Sequence, residues 1–387
     1  MLRSYAENYP PTVNQANLLA SRGLSVGIVE LSAPNIESAL NPSIRRWRAH
    51  RAWKSKTEPR PSVARRWRNW LDFRQTYHRA IVQHLPRVVL AYDTLACVFA
   101  KPQPSLHRTI YHFHELPEPE KKEGFGPQFG RARTAQFGHL ADLVTFSDAE
   151  RARLYKEESK LREMPWTVMN CPLLMEMPPI SPLRELLLAQ GKSVGKIVCY
   201  LGSVGRDQGI IETAASMRHW PPDALFVLIG PYSEQMKALI LQATRETSLA
   251  NRVVFLGAKP HREALALAAG GDLGVSIIQP NTRNWLYSAG AINKRFEYMA
   301  LGLVQVTNDG PGVAEIIERN QCGLCVNSRD SQAIGLAITR LLSNDQQRNA
   351  FASNARQSHL RAYNYETQFA NVGDWIEEAC RSSSNEN

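Results

Sequence analysis

Three charged residues open an apolar segment in the second half of the chain. They are Lys294, Arg295 and Glu297, within NKRFEYMALG. The apolar residues of this segment recur at steps of three and four, which predicts a helix with one buried face. A helix N-terminus favours anions and disfavours cations, so two cations in the first turn need a reason. Either the helix start is merely solvated, or an anionic ligand docks there.

Two glycine-containing loops are candidates for binding the same anion. GSVGRDQG follows an apolar strand-like segment, and NDGPGVAEI leads into a second helix. Glycine lets a ligand approach the backbone, and a helix start leaves N–H groups free for an anion. Each loop alone fits a tight strand-to-helix turn, but together with Lys294 and Arg206 they predict a diphosphate site. The candidate ligands are Gly202, Ser203, Arg206, Lys294, Glu297, Gly310, Gly312 and Val313.

Neither a metal nor a cofactor is predicted, apart from a nucleotide that would be substrate. No D-x-D-like pair of carboxylates stands in a loop to hold a divalent ion. Side chains and helix ends must then neutralise a leaving diphosphate. CGLC at 322–325 has the C-x-x-C spacing without a second pair or a histidine cluster, so we expect a turn into a strand there.

Strand-like and helix-like segments alternate through both halves of the 387-residue chain. This alternation predicts an α/β protein with two doubly wound parallel sheets, whose strand ends face an interdomain cleft. The predicted segments are 1–178, 179–365 and a C-terminal helix in 366–387 that packs back on the first domain. WTVMNCPL is the predicted last strand of the first half, and Ser147 with Glu150 predicts a capping box for the helix that follows them.

The order of segments from YLGSVGRDQG through NKRFEYMALGLVQVTNDGPGVAEII resembles the donor domain of GT-B glycosyltransferases, and within them family 4. The resemblance is close over about 170 residues. It implies that Glu297 binds the ribose of a nucleotide, that Lys294 binds its diphosphate, and that FLGAKP contacts the base. Three features depart from the family. Ala289 replaces a frequent glutamate, Ser203 and Gln208 replace a frequent Arg…Lys pair, and the first strand and glycine-rich loop are shortened to MLRSYAENYPP.

IYHFHELPE resembles the strand-end histidine that this family places beside the transferred sugar. The matching residue is His114, with His112 on the same face of a strand. The resemblance implies that His114 is catalytic, as a hydrogen-bonding partner of the donor sugar or the acceptor hydroxyl. A purely structural histidine is the alternative. The family is generally retaining, and no carboxylate here is an evident nucleophile.

Charge is concentrated in residues 45–79, which hold twelve basic and two acidic residues and four of the eight tryptophans. This segment carries the whole net charge of +10, and the rest of the chain is neutral. Arginine interleaved with tryptophan fits an anionic membrane surface. A solvated loop and helix is the alternative. Nucleic acid is the weakest alternative, because no nucleic-acid-binding motif accompanies the segment.

The sequence therefore predicts a metal-independent glycosyltransferase that moves a sugar from a nucleoside diphosphate-sugar to a glycan or lipid-linked acceptor. Two other functions stay open, a GT-B sugar-nucleotide epimerase and a non-catalytic GT-B partner protein. No apolar run reaches the ~20 residues of a membrane span, and the N-terminus lacks an apolar signal core. We expect a cytoplasmic protein, peripheral on the inner face of the membrane.

Overall fold

The structure is a computed structural model, and it describes residues 6–32, 38–49, 62–117, 136–178, 180–244 and 247–382. The chain divides into two compact units, Met1–Met169 with Gln368–Asn387 and Asn170–Thr367. Each unit is described separately below.

The strands follow the predicted alternation with helices. In chain order they are β1 Gly27–Leu31, β2 Arg45–Ala49, β3 Val88–Tyr92, β4 Arg108–Phe113, β5 Leu143–Phe146, β6 Trp166–Thr167, β7 Ile197–Leu201, β8 Leu225–Ile229, β9 Val253–Gly257, β10 Leu273–Ser276, β11 Gln305–Asn308 and β12 Gly323–Val326.

The α-helices precede and follow these strands. They are α1 Pro10–Ser21, α2 Val63–His84, α3 Asp93–Phe99, α4 Ala149–Ser159, α5 Leu183–Ala189, α6 Ile210–Ser216, α7 Glu234–Ala243, α8 Thr247–Ala250, α9 His261–Ala268, α10 Arg283–Leu286, α11 Asn293–Ala300, α12 Val313–Ile317, α13 Ser331–Ser343, α14 Asp345–Arg361 and α15 Tyr365–Ser382. Residues 136–140 are also helical.

The second unit is built on a six-stranded parallel sheet in the order β12-β11-β10-β7-β8-β9. Successive residues of β7 enter different apolar clusters, Val198 and Tyr200 on one side of the sheet and Cys199 and Leu201 on the other. Helices therefore cover both faces, which explains why β7 and β8 are buried along their whole length. The prediction of a doubly wound parallel sheet is confirmed here.

The first unit holds parallel strands in two separate sheets. One has four strands in the order β3-β4-β5-β6, and the other pairs β1 with β2. The predicted strand WTVMNCPL contributes only Trp166–Thr167 to the ladder. In the same unit, Arg22 pairs with Asp374 and Glu377 of α15 at 2.8 and 3.2 Å.

The predicted capping box at Ser147 is wrong by one residue. Asp148 caps α4, and its carboxylate accepts hydrogen bonds from the backbone N–H groups of Glu150 and Arg151 at 2.9 and 3.1 Å. Ser147 instead donates its hydroxyl to the carbonyl oxygen of His114 at 3.1 Å. An aspartate satisfies two free N–H groups at once, so it competes well with the preceding serine.

The basic segment forms two kinds of structure. Residues 45–49 are strand β2, and residues 63–79 belong to α2. Residues 50–61, which include Arg51, Lys54, Lys56, Arg60 and Trp53, lie outside the described part of the chain. Among the described residues, no helix combines the length and the apolar character that a bilayer crossing requires.

Candidate functional site

Lys294 is buried in the first turn of α11, and its ammonium is directed to the end of β7. Its Nζ donates to the hydroxyl of Tyr200 at 2.8 Å and to Oε1 of Gln208 at 2.7 Å. It also lies 4.2 Å from the centre of the Tyr200 ring, within the range of a cation–π contact. Tyr200 in turn donates to the carbonyl oxygen of Ser203 at 2.7 Å, which fixes the loop after β7.

Gly202 lies beside this lysine. Its φ of +117° is a backbone conformation that other residues rarely adopt, whereas a Cβ at this position would make only an ordinary contact, 3.5 Å, with Cε of Lys294. Ser203 and Arg206, the two other candidates in the loop, are exposed. Within the described residues, Arg206 forms neither an ion pair nor a hydrogen bond. Gln208, which was noted only as a departure from the family, therefore contacts the lysine more directly than Ser203 or Arg206.

Glu297 follows Lys294 by one helical turn and is also buried. Its Oε1 lies 3.6 Å from Nε2 of His261, the first residue of α9. Burial raises the pKa of Glu297, and His261 and Lys294 oppose the increase. Burial lowers the pKa of Lys294 to about 7, with Glu297 opposing the decrease and Arg295 adding to it. Because both side chains are buried, little water competes with a ligand for the carboxyl group of Glu297 and the amine of Lys294.

Arg295 has a different role from its neighbour. Its guanidinium is fully buried and donates to the carbonyl oxygen of Ser288 at 2.8 Å, to Oδ1 of Asn308 at 2.7 Å and to Oγ1 of Thr307 at 3.1 Å. It also reaches the carbonyl oxygen of Ala289 at 3.3 Å. Arg295 therefore joins the 288–289 loop to the end of β11, whereas Lys294 is directed at the loop after β7.

The glycines of the second loop follow β11 at the carboxyl edge of the same sheet. Gly312 has a φ of +75° and immediately precedes α12, a helix of five residues. Asn308 fixes the start of this loop, because its Oδ1 accepts from the backbone of Ile278 at 3.0 Å as well as from Arg295. In the described part of the chain, Gly310, Gly312 and Val313 form no hydrogen bond with Lys294 or Glu297. The strand β10 lies between the two loops.

His114 follows β4 in the first unit, and its backbone is held from three sides. Its N–H donates to Oδ1 of Asp93 at 2.9 Å, and its carbonyl oxygen accepts from Ser147 and from Nη1 of Arg151. Asp93 itself has a φ of +59°, which is uncommon for a residue with a Cβ and recurs at functional sites. In the sequence Asp93 only interrupts an apolar run, RVVLAYDTLACVFA, and its spacing does not indicate a contact with His114.

The ring of His114 lies among aromatic groups. The ring centres of His112, Tyr9 and Tyr92 are 4.8, 5.1 and 5.6 Å away, and Nε2 of His114 is 3.5 Å from Oγ1 of Thr12. Two buried ring nitrogens, Nε2 of His112 and Nδ1 of His114, have no hydrogen-bond partner in the described part of the chain. Burial, with His114 nearby, lowers the pKa of His112 well below its ordinary value, so this ring is neutral at physiological pH.

No group of three or more His, Cys, Asp or Glu side chains suited to a metal ion occurs among the residues that the structure describes. Cys322 and Cys325 are free, and burial raises the pKa of both thiols to about 12. Protonated thiols are poor metal ligands and poor nucleophiles.

Residues 190–358 match the family model of the glycosyl transferases group 1. These residues form a group 1 glycosyltransferase domain. It contains β7 to β12 and every predicted donor-site residue from Gly202 to Val313, whereas His114 lies outside it. No curated protein sequence matches the chain.

Solved structures resemble the whole chain. Sucrose-phosphate synthase from Thermosynechococcus elongatus is 18% identical with a TM-score of 0.70, over 95% of this chain and 92% of that one. WaaG, a glycosyltransferase involved in lipopolysaccharide biosynthesis, is 14% identical with a TM-score of 0.65, over 97% of both chains. HepE from Anabaena, solved in complex with UDP and glucose, is 16% identical with a TM-score of 0.65, over 86% of both chains. At these identities the likeness establishes the fold, which is GT-B.

Proposed function

We propose that the chain is a metal-independent, retaining glycosyltransferase that uses a nucleoside diphosphate-sugar and acts on a glycan or lipid-linked acceptor. The observation that carries the proposal is the arrangement of the buried Lys294 and Glu297 with the half-buried Gln208 at the carboxyl edge of the group 1 domain sheet. An ammonium suits a diphosphate, and a carboxylate one turn away suits the two hydroxyls of a ribose. HepE, which was solved in complex with UDP and with UDP-glucose, supports uridine nucleotides as the first donors to test.

In this proposal Lys294 neutralises the diphosphate, and Glu297 accepts hydrogen bonds from the ribose. Arg206 is exposed next to the same loop and is long enough to approach a bound phosphate. The backbone of Gly202 and Ser203, together with the Gly310–Val313 loop, supplies further contacts. His114 hydrogen-bonds the transferred sugar or the acceptor hydroxyl. The hydrogen bonds that hold the His114 backbone to Asp93 and Ser147 support such a positioning role.

A panel of nucleoside diphosphate-sugars tests the proposal through binding and products. A donor that binds the folded state raises the melting temperature, because binding stabilises by RT ln(1 + [L]/Kd). The bound donor is then incubated with the protein, and the products are separated. Release of the free sugar or its transfer supports the proposal. An isomerised nucleotide sugar indicates an epimerase, and binding without any product indicates a non-catalytic partner.

We further propose that α2 brings the protein to an anionic membrane surface. Val63, Trp67 and Leu71 are spaced by four residues and are all exposed, so they form an apolar stripe on the helix. Exposed arginines accompany the stripe at positions 65, 68, 74 and 79. Such a helix binds the headgroup region through both its apolar stripe and its charge.

Two arginines of β2 form ion pairs with carboxylates of the same unit. Arg46 pairs with Glu7 at 2.8 Å and with the fully buried carboxylate of Glu30 at 2.6 Å. Arg48 also pairs with Glu30, at 3.1 Å. Within the described part of the basic segment, the proposal of a membrane surface therefore rests on α2 rather than on β2.

A further inference from the structure

Two acceptors hold the amine of Lys294, and each of them can only accept. Nζ donates to the hydroxyl of Tyr200 at 2.8 Å and to Oε1 of Gln208 at 2.7 Å. An amide oxygen has no proton to donate, and a tyrosine hydroxyl has one. The hydroxyl of Tyr200 donates its proton to the carbonyl oxygen of Ser203 at 2.7 Å, since its contact with Gln208 is longer, at 3.3 Å. The oxygen of Tyr200 therefore accepts from Lys294.

These two acceptors use every N–H group that a neutral amine would have. A neutral lysine amine carries two N–H groups, and an ammonium carries three. Within the described part of the chain, the side chain of Lys294 donates no other hydrogen bond. Only the third N–H can therefore be donated to a phosphate, and it exists only when Lys294 is protonated.

The surroundings of Lys294 determine how readily it takes up this proton. Burial lowers the pKa of Lys294 to about 7, with Glu297 opposing the decrease and Arg295 adding to it. His261 of α9 lies 3.6 Å from Glu297. Burial also raises the pKa of Tyr200, so its hydroxyl keeps its proton near neutral pH. Tyr200 thus remains a neutral acceptor beside the amine.

Gly202 allows a ligand to approach this amine. A Cβ on Gly202 would have Cε and Nζ of Lys294 and the hydroxyl of Tyr200 as its nearest neighbours, at 3.5, 3.7 and 3.9 Å. The side of Gly202 that carries no side chain therefore lies next to the amine. Glycine permits the close approach of a ligand to the backbone. A phosphate that contacts the backbone of Gly202 would lie beside Nζ.

We propose that Tyr200 and Gln208 are positioning residues of the donor site. They take two N–H groups of Lys294, so that the diphosphate of a donor is bound by the third N–H and only by the ammonium form. This inference rests on the proposed function, because it requires a diphosphate at Lys294. Tyr200 also holds the carbonyl oxygen of Ser203, so it couples the position of the amine to the loop after β7.

Tyr200→Phe removes one acceptor of the ammonium and keeps the ring beside it. Loss of a hydrogen bond to the charged form lowers the pKa of Lys294. The affinity for UDP should therefore begin to fall at a lower pH than in the wild type. At pH 7 we expect UDP to bind about tenfold more weakly, whereas uridine, which has no phosphate, should bind as it does to the wild type.

Gln208→Glu should move the pH dependence in the opposite direction. A carboxylate next to Nζ stabilises the ammonium and raises the pKa of Lys294, so the affinity for UDP should stay constant up to a higher pH. The same carboxylate repels a phosphate, so UDP should still bind about tenfold more weakly. Gln242→Glu adds the same charge at an exposed position of α7, and this control should change neither quantity.

Titration calorimetry with UDP and with uridine, between about pH 6 and pH 9, tests the proposal. If the wild type prefers GDP, ADP or CDP, that nucleotide and its nucleoside replace them, and melting temperatures verify that each variant is folded. Opposite shifts of the pH at which nucleotide affinity falls, with nucleoside affinity unchanged, would support the positioning roles.

Two results would overturn the positioning roles alone, with the donor site intact. One is an identical pH dependence of nucleotide binding in the wild type and both variants. The other is an equal loss of nucleotide and nucleoside affinity in folded variants, which would indicate a general structural role. A folded wild type that binds none of the four nucleotides would instead overturn the proposed function together with this inference.

Discussion

Burial lowers the pKa of Lys294 to about 7, close to physiological pH. Below that pH the amine already carries the proton that a diphosphate requires. Above it, binding must take up a proton, so nucleotide affinity should fall by up to about tenfold per pH unit. Titration calorimetry between pH 7 and 9 measures this slope, and buffers of different ionisation enthalpy measure the proton uptake. A Lys294→Met variant should lose the uptake. Wild-type binding that is independent of pH over this range would exclude Lys294 as the phosphate ligand.

Glu297 should contribute to nucleotide affinity through hydrogen bonds to the ribose. Glu297→Ala should weaken binding by about 1.5–3 kcal/mol, the loss typical of hydrogen bonds to a charged group. Glu315→Ala, which changes an exposed glutamate of α12, is the matched control and should leave the affinity unchanged. Equal affinities for the Glu297→Ala variant and the wild type, with both folded, would remove Glu297 from the site.

Arg295 should contribute to stability rather than to binding. Arg295→Met leaves the acceptors of Ser288, Thr307 and Asn308 unsatisfied in a buried place, so the free energy of unfolding should fall by about 3–5 kcal/mol. The exposed Arg319→Met control should change it by less than about 0.5 kcal/mol. Urea denaturation measures both. A stable Arg295→Met variant with weakened nucleotide binding would contradict the structural role.

At the level of single residues, the sequence could identify the segment but not separate its two cations. Consecutive residues of a helix point in directions about 100° apart, so Lys294 reaches β7 while Arg295 reaches β11. Which residue faces which strand depends on the tertiary packing of α11. Gln208 and His261 likewise contact the site only because the sheet brings three loops to one edge.

At the level of elements, α2 should determine membrane association. The wild type should sediment with anionic vesicles and be released in part by salt, since exposed charges are screened beyond ~8–10 Å at physiological ionic strength. Changing Arg65, Arg68 and Arg74 to Gln, or Trp67 to Ala, should reduce the recovered fraction severalfold. Changing the exposed Arg153, Arg319 and Arg381 to Gln removes the same charge elsewhere and should not. Equal recovery with neutral vesicles, or none with either kind, would contradict the proposal.

The elements of the second unit could be predicted well because their patterns are strong. β7 and β8 are short apolar runs that end at glycine loops, and α13 has an unmistakable helical period. The sheets of the first unit are harder to predict from the sequence. Among the described strands, β1 and β3 belong to different sheets, and periodicity does not predict which strands pair. Tertiary contacts also decide which residue caps α4. The hydroxyl of Ser147 donates to the carbonyl oxygen of His114, so Asp148 caps the helix instead.

At the level of the whole molecule, we predict that the reaction does not require a metal ion. Turnover of a nucleoside diphosphate-sugar should be unchanged in EDTA, because Lys294, Arg206 and loop N–H groups neutralise the leaving diphosphate. The rate with and without chelator, followed by magnesium or manganese addition, tests this. Complete loss of turnover in EDTA that a divalent ion restores would show that the site works with a metal after all.

Calorimetric titration of UDP at pH 7 in EDTA, into the wild type and the Lys294→Met and Glu297→Ala variants, tests the donor site directly. We expect one UDP per wild-type chain, with binding at least about tenfold weaker in each variant, because each substitution removes hydrogen bonds that involve a charged group. GDP, ADP and CDP are titrated in parallel to identify the preferred base. Binding of none of these nucleotides to the folded wild type, or binding that both substitutions leave unchanged, would contradict a nucleotide site at Lys294 and Glu297.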